Sequence, residues 1–133
     1  MTKKDIQKEA NEQGSSFIKF AEEVLKRTTS KNEKIAEQAR EELSNDALEV
    51  ATGKEFDGTK TYMILLSTGG PATRIIGELD EHGQPTTATF QFQDWFLPWT
   101  EARLNEEEEQ TLIQYAGFFC FELWFFIIGY PLR

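Results

Sequence analysis

The spacing of apolar residues over the first 45 positions predicts two amphipathic helices. Apolar side chains recur at helical intervals in residues 17–25 and again in residues 35–43. The run Gly14-Ser15-Ser16 predicts an interruption of the first helix, with a frayed segment before it. Ser30 precedes Glu33 at the spacing of a capping box, which predicts that the second helix starts there. We expect the two helices to form an antiparallel pair.

Three later segments carry the patterns of β-strands. Residues 61–67 form a continuous apolar run, which is typical of a strand covered on both faces. Residues 72–79 predict a second strand, and residues 86–94 alternate apolar and polar side chains as a half-buried strand does. Turn sequences separate these strands at 68–71 and 80–85. The pattern predicts a three-stranded antiparallel meander.

A third helix is predicted from residue 106 to about residue 118. Asn105 is a favourable N-cap, and Glu108 occupies the capping-box position. The carboxylates of the first turn, Glu106–Glu109, also interact favourably with the helix dipole.

These elements together predict an α+β fold in a single domain, 1–133. Its core is a three- or four-stranded antiparallel sheet, with an N-terminal helical pair and a C-terminal helix packed on it. The helical pair occupies residues 1–45, a connection without regular structure occupies 46–60, and the sheet with the last helix occupies 61–133.

The aromatic segment at 118–128 is too short to predict a membrane span, which needs about 18–20 apolar residues. Three interpretations stay open for it: a buried final strand or helix end, a homodimer contact, and a membrane-surface anchor. The acidity of the chain disfavours the anchor, because anionic lipid would repel it.

Negative charge is concentrated in the second half of the chain. The 133 residues contain 14 basic and 23 acidic side chains, for a net charge of −9. No lysine follows Lys60, and only three arginines do. Such a field repels nucleic acid and anionic membranes, since phosphate binding needs Lys and Arg. It attracts a basic partner, although acidity alone also serves solubility.

The sequence predicts no catalytic site, metal site or cofactor. The expected protein is not an enzyme, although a small enzyme that uses Asp94 stays open as a further hypothesis. The single His and single Cys exclude a two-His metal site and a Cys cage within one chain. His82 is expected in a solvated turn, and Cys120 is expected to be buried as a small apolar residue. The N-terminus has no apolar stretch of the kind found in signal peptides, which predicts a cytoplasmic protein.

An aromatic corner follows the third strand and is a second candidate site. Two interpretations stay open for it: a pocket for a base or a cation, and simple closure of the core end. The backbone of a Gly-Gly turn could approach a ligand in such a pocket. The residues of this candidate pocket are Gly69, Gly70, Asp94, Trp95 and Trp99.

Four blocks in fixed order resemble a group of small acidic proteins encoded by bacteriophages, prophages and plasmids. They are YMILLSTGGPA at 62–72, RIIGELDEHGQP at 74–85, QDW at 93–95 and PWTE at 98–101. Small acidic proteins of mobile elements often act against host defence, as anti-CRISPR or anti-restriction proteins. The resemblance therefore implies an inhibitor located in the cytoplasm of a bacterial host cell.

A folded acidic surface can compete for a groove in which a nuclease holds nucleic acid. The expected partner is thus a host nucleic-acid-binding defence protein with a basic groove, and the expected mode is nucleic-acid mimicry. The alternative function is a small-molecule or nucleotide-binding module that uses the Trp95/Trp99 corner. The residues predicted for the acidic surface are Glu78, Asp80, Glu81, Glu101, Glu106, Glu107, Glu108 and Glu109.

Overall fold

The computed structural model describes residues 2–119 and 121, which form three helices and a five-stranded antiparallel sheet. The elements in chain order are α1 (Lys3–Thr28), α2 (Glu33–Asp46), β1 (Glu49–Lys54), β2 (Lys60–Ser67), β3 (Ala72–Leu79), β4 (Thr89–Gln93), β5 (Thr100–Glu101) and α3 (Glu106–Ala116). The strands lie in the sheet in sequence order, so the sheet is a meander. The α+β fold, with an N-terminal helical pair and a C-terminal helix, is therefore confirmed.

The helices pack on one face of the sheet, and the core lies between the two layers. Strand alternation puts Tyr62, Ile64, Ile75 and Phe90 on that face, where they contact apolar residues of all three helices. The other face, which we call the open face, carries Met63, Leu65, Arg74 and Ile76 by the same alternation. Strand β2 is therefore apolar on both faces, but within the described residues helices cover only one of them.

Helix α1 is continuous through the predicted interruption at Gly14-Ser15-Ser16, so that prediction was wrong. Gly14 is buried against the chain that follows β5, and a Cβ at position 14 would lie 2.9 Å from the Cβ of Ala102. The glycine therefore allows close packing of the helix and does not end it. Thr2 and Asp5 form a capping box at the start of the helix, which stabilises the first turns that were predicted to be frayed.

The start of α2 differs by a few residues from the prediction. Asn32 is the N-cap, and its side-chain oxygen accepts hydrogen bonds from the backbone N–H groups of Lys34 and Ile35 at 3.0 and 3.4 Å. The predicted capping box of Ser30 with Glu33 is replaced by this local cap, because Asn is as good an N-cap as Ser.

The segment 46–60, predicted as a connection, contains strand β1. This strand pairs antiparallel with β2 from Glu49 opposite Leu65 to Lys54 opposite Lys60. β1 has one large aliphatic residue, Val50, so its pairing with the apolar β2, and not its own pattern, makes it a strand. The short strand β5 adds the fifth member, beside β4.

Helix α3 ends at Ala116, close to the predicted end, and Phe121 lies fully buried with its ring centroid 4.8 Å from that of Tyr62. Most of the aromatic segment 118–128, and with it the dimer and anchor interpretations, lies outside the described residues. Cys120 also lies outside them.

Candidate functional site: an acidic end and an aromatic corner

Three parts of the chain bring carboxylates to one end of the sheet. The turn between β1 and β2 and the loop between β3 and β4 lie at the same end, since Lys60 pairs with both Lys54 and Leu79. The start of α3 lies there too, because Glu109 contacts the backbone of Ala88. We call this region the acidic end, and its carboxylates are Glu55, Asp57, Glu78, Asp80, Glu81, Glu106, Glu107, Glu108 and Glu109.

Asp80 organises the loop after β3. Its Oδ1 accepts hydrogen bonds from the backbone N–H groups of His82 at 2.8 Å and Gln84 at 2.9 Å. These bonds, first that from Gln84, lower the pKa of Asp80 below its ordinary value, so the group is charged at neutral pH. His82 is exposed, as predicted, with its Nε2 3.4 Å from Glu81.

The four glutamates at the start of α3 divide into two exposed and two engaged side chains. Asn105 and Glu108 form the predicted capping box, with bonds of 2.8 and 3.1 Å, so this prediction is confirmed. Glu109 accepts a hydrogen bond from the buried N–H of Ala88 at 3.4 Å, where β5 has turned away from β4. Glu106 and Glu107 are exposed. Backbone donors engage Glu108 and Glu109 without cancelling their charge.

Glu101 lies beside the acidic end, in a groove along the β5 edge. Its carbonyl oxygen accepts a hydrogen bond from Gln7 Nε2 at 2.9 Å, which ties the edge strand to α1. The groove has a volume of about 730 Å³, and Glu101, Glu109, Arg103 and Trp99 contribute to its lining. Members of both predicted sites, the acidic surface and the aromatic corner, therefore border one groove.

The ion pairs of arginine lie in the helical pair. Arg27 bridges Glu23 at 3.0 Å and Glu42 at 2.9 Å, and Arg40 pairs with Glu33 at 2.9 Å. At the acidic end, Lys60 donates to the backbone oxygen of Glu81 at 3.5 Å. Helices α1 and α2 contain ten carboxylates and eight Lys or Arg, whereas the acidic end contains nine carboxylates and two lysines. Among the described residues, carboxylates therefore exceed basic side chains more strongly at the acidic end than in the helical pair.

The aromatic corner, apart from Trp99, lies at the opposite end of the sheet. Trp95 has a positive φ of 38°, and its indole lies on Gly70, where any Cβ would overlap the ring. Trp95 is 62% exposed, and Phe96 beside it is fully exposed. Gln93 Nε2 donates to the Leu97 oxygen at 3.0 Å and closes the loop. Here the aromatic side chains project outward.

Trp99 has a different partner from Trp95. The guanidinium of Arg74 lies over the Trp99 ring at 4.0 Å from its centroid, and Arg74 Nε donates to Gln91 Oε1 at 2.7 Å. Burial lowers the pKa of Arg74 from its ordinary value. Gly70 and Trp95 therefore come together, whereas Trp99 stacks on an internal cation. Asp94 contributes its carbonyl oxygen, which accepts a hydrogen bond from the Leu97 N–H at 3.2 Å.

Two long-range contacts at these sites have no signal in the sequence. Arg74 follows the strand alternation onto the open face, but nothing in the sequence places Trp99 beneath it. The Glu109–Ala88 contact likewise joins positions 21 residues apart. The one related feature of the sequence is that tryptophans adjoin a carboxylate at the corner, a combination that can bind a cation.

Neither a metal centre nor a membrane helix is found in the described part of the chain. In residues 2–119 and 121, no group of three or more His, Cys, Asp or Glu side chains is arranged to hold a metal ion. No helix among these residues is long and apolar enough to cross a bilayer.

Comparison with known proteins gives no relative from which a function could be transferred. No family model, curated protein or solved structure matches the chain. The resemblance of the four sequence blocks to proteins of mobile elements therefore stays a prediction.

Proposed function

We propose that the chain is a non-enzymatic protein of a bacteriophage or other mobile element, and that it inhibits a host defence complex by occupying its basic nucleic-acid groove. The observation that supports this most is the acidic end. There, three separate parts of the chain place nine carboxylates and two lysines at one end of a sheet. A nuclease groove that holds nucleic acid has the complementary charge.

The backbone contacts of the acidic end strengthen this proposal. Asp80 and Glu108 are held by N–H donors at 2.8–3.1 Å, so their charges are fixed in place before a partner arrives. A preorganised anionic surface loses less conformational freedom on binding than a disordered acidic tail does. The exposed Glu78, Glu81, Glu106 and Glu107 then provide charges that contact the partner.

The test is an inhibition assay against a panel of purified CRISPR effector nucleases and restriction endonucleases, at several salt concentrations. The test variant carries Glu78→Gln, Glu81→Gln, Glu106→Gln and Glu107→Gln, all exposed positions of the acidic end. We expect the wild type to compete with the nucleic acid of at least one nuclease. We expect the variant to be weaker by about tenfold or more, with a shallower salt dependence, because rim charges govern both.

The matched control changes the net charge by the same amount in the helical pair. It carries Glu12→Gln, Glu22→Gln, Glu37→Gln and Glu41→Gln, which are also exposed. We expect it to inhibit as the wild type does. Equal losses in both variants would reduce the effect to net charge and contradict a specific acidic surface, and inhibition that does not change with salt would contradict mimicry.

A further inference from the structure

Arg74 is held rigidly on the open face of the sheet by three different contacts. Its backbone belongs to β3, between β2 and β4. Its guanidinium stacks on Trp99 at 4.0 Å, and its Nε donates to Gln91 at 2.7 Å. An arginine fixed in this way presents its remaining nitrogens in one orientation, which suits planar two-oxygen acceptors.

Among the residues that the structure describes, no carboxylate forms an ion pair with Arg74. The ion pairs among the described residues involve Arg27, Arg40 and His82, and none of the described carboxylates lies within 4.0 Å of the Arg74 guanidinium. The bond to Gln91 uses Nε and leaves the two Nη nitrogens for another acceptor.

A shallow concavity of about 450 Å³ lies on the open face, and Arg74 lines one part of it. Met63 and Ile76 give it an apolar floor, and Glu78 and Glu55 lie on its lining as well. Glu78 follows Arg74 by four residues on the same strand, a separation of about 13 Å along β3. The concavity is therefore cationic at one end, apolar in the middle and anionic at the other end.

We propose that this concavity binds a linear small molecule that has a carboxylate head, an aliphatic body and an ammonium tail. The carboxylate accepts hydrogen bonds from the Nη nitrogens of Arg74. The aliphatic body lies on Met63 and Ile76, and the ammonium group lies near Glu78. This site is on the open face and shares Glu55 and Glu78 with the acidic end, but it also needs Arg74, which the proposed inhibition does not use.

A monocarboxylate suits this position better than a phosphate ester does. Both can be held by an arginine fork, but a phosphate monoester carries about two negative charges at neutral pH. The carboxylates of Glu55 and Glu78 repel the doubly charged group more strongly than the singly charged one. The same carboxylates attract an ammonium tail.

The test is an NMR titration of the ¹⁵N-labelled full chain with 8-aminooctanoate, octanoate and octyl phosphate. We expect 8-aminooctanoate to shift the backbone amide signals of Met63 and Ile76 and the side-chain Nε signal of Arg74, with saturation. We expect weaker binding of octanoate and of octyl phosphate. A wild-type chain that shows no saturable shift with any probe would overturn the proposal, and so would preferred binding of octyl phosphate.

Variants distinguish the roles of the two ends. Arg74→Gln and Arg74→Lys are both expected to weaken the binding of 8-aminooctanoate by about tenfold or more. Lys keeps the positive charge but lacks the paired N–H donors of the guanidinium. Arg103→Gln, at an exposed arginine outside the concavity, is expected to bind as the wild type does. Glu78→Gln is expected to weaken the binding of 8-aminooctanoate and to leave the binding of octanoate unchanged. Unchanged affinity in the folded Arg74→Lys chain, or equal losses for both probes in Glu78→Gln, would overturn the assignment.

Discussion

The helical pair and the acidic end use their carboxylates in different ways. In α1 and α2, glutamates pair with Arg27 and Arg40, so the charges of both partners cancel locally. At the acidic end, Asp80, Glu108 and Glu109 accept hydrogen bonds from backbone N–H groups. A backbone donor satisfies a carboxylate without neutralising it, so these groups stabilise the fold and keep their negative field.

This difference helps to explain how nine carboxylates can be accommodated at one end of the sheet. Like charges repel, but each N–H bond and the dipole at the start of α3 offset part of that repulsion. The helical pair needs no such compensation, because its basic residues are interspersed with its acidic ones.

The contact that joins the two regions gives the largest predicted effect on stability. The hydroxyl of Tyr115, on α3, donates to Asp46 Oδ2, at the end of α2, at 2.8 Å. Tyr115 is fully buried, and burial raises the pKa of its hydroxyl. Asp46→Ala leaves this hydroxyl without its acceptor and is expected to lower the free energy of unfolding by about 1–3 kcal/mol in urea denaturation.

Asp46→Asn is the matched control for this contact. It keeps an acceptor oxygen and removes a negative charge from the C-terminal end of α2, where the helix dipole disfavours one. We expect it to unfold close to the wild type, within about 0.5 kcal/mol. Equal destabilisation by Ala and Asn would show that the charge, and not the hydrogen bond, carries the contact.

The two helix caps allow the two regions to be compared directly. Asn105→Ala removes the cap of α3, at the acidic end, and is expected to cost about 1 kcal/mol. Asn32→Ala removes the corresponding cap of α2 and is expected to cost a similar amount. Asn105→Ser, which restores a capping oxygen, should recover most of the loss. Urea denaturation measures all three, and no loss in Asn105→Ala would show that this cap does not stabilise the acidic end.

The smallest of the expected effects on stability is an acid-dependent loss that involves Asp80. Because the pKa of Asp80 is lower in the folded chain than its ordinary value of 3.8, its contribution is present above that value. The contribution is lost as the pH falls through the lower, folded pKa. Between about pH 5 and pH 2, the wild type should therefore lose more stability than Asp80→Asn. Parallel losses in thermal melts of the two chains would contradict this role.

Local patterns predicted those parts of the fold that local interactions determine. Ala88, Phe90 and Phe92 alternate along the third predicted strand, and all three are buried. The strand β1 was missed because Val50 is its one large aliphatic side chain and its partner strand supplies the rest. The continuity of α1 through Gly14 was missed for a similar reason, since Ala102 lies 88 positions away in the sequence.

At the candidate sites, too, contacts between residues near in sequence were predictable, and contacts between distant residues were not. The Asn105–Glu108 capping box joins residues three positions apart and was predictable from the sequence. The stacking of Arg74 on Trp99 joins a strand to a distant loop, and no periodic pattern encodes it. The projection of Trp95 depends on its positive φ and on the absence of a Cβ at Gly70, and both are properties of the folded turn.

Near-surface electrostatic potential, measured by NMR with cationic and anionic paramagnetic cosolutes, tests the account most directly. The measurement compares the potential at the backbone amide protons of residues 81–84 and 106–107 with the potential at those of residues 37–41 in α2. Uncancelled carboxylates predict a more negative potential at the acidic end, with stronger relaxation by the cationic cosolute and weaker relaxation by the anionic one. Equal potentials in the two regions would mean that the acidic end is neutralised, and would contradict its role as a surface for a basic partner.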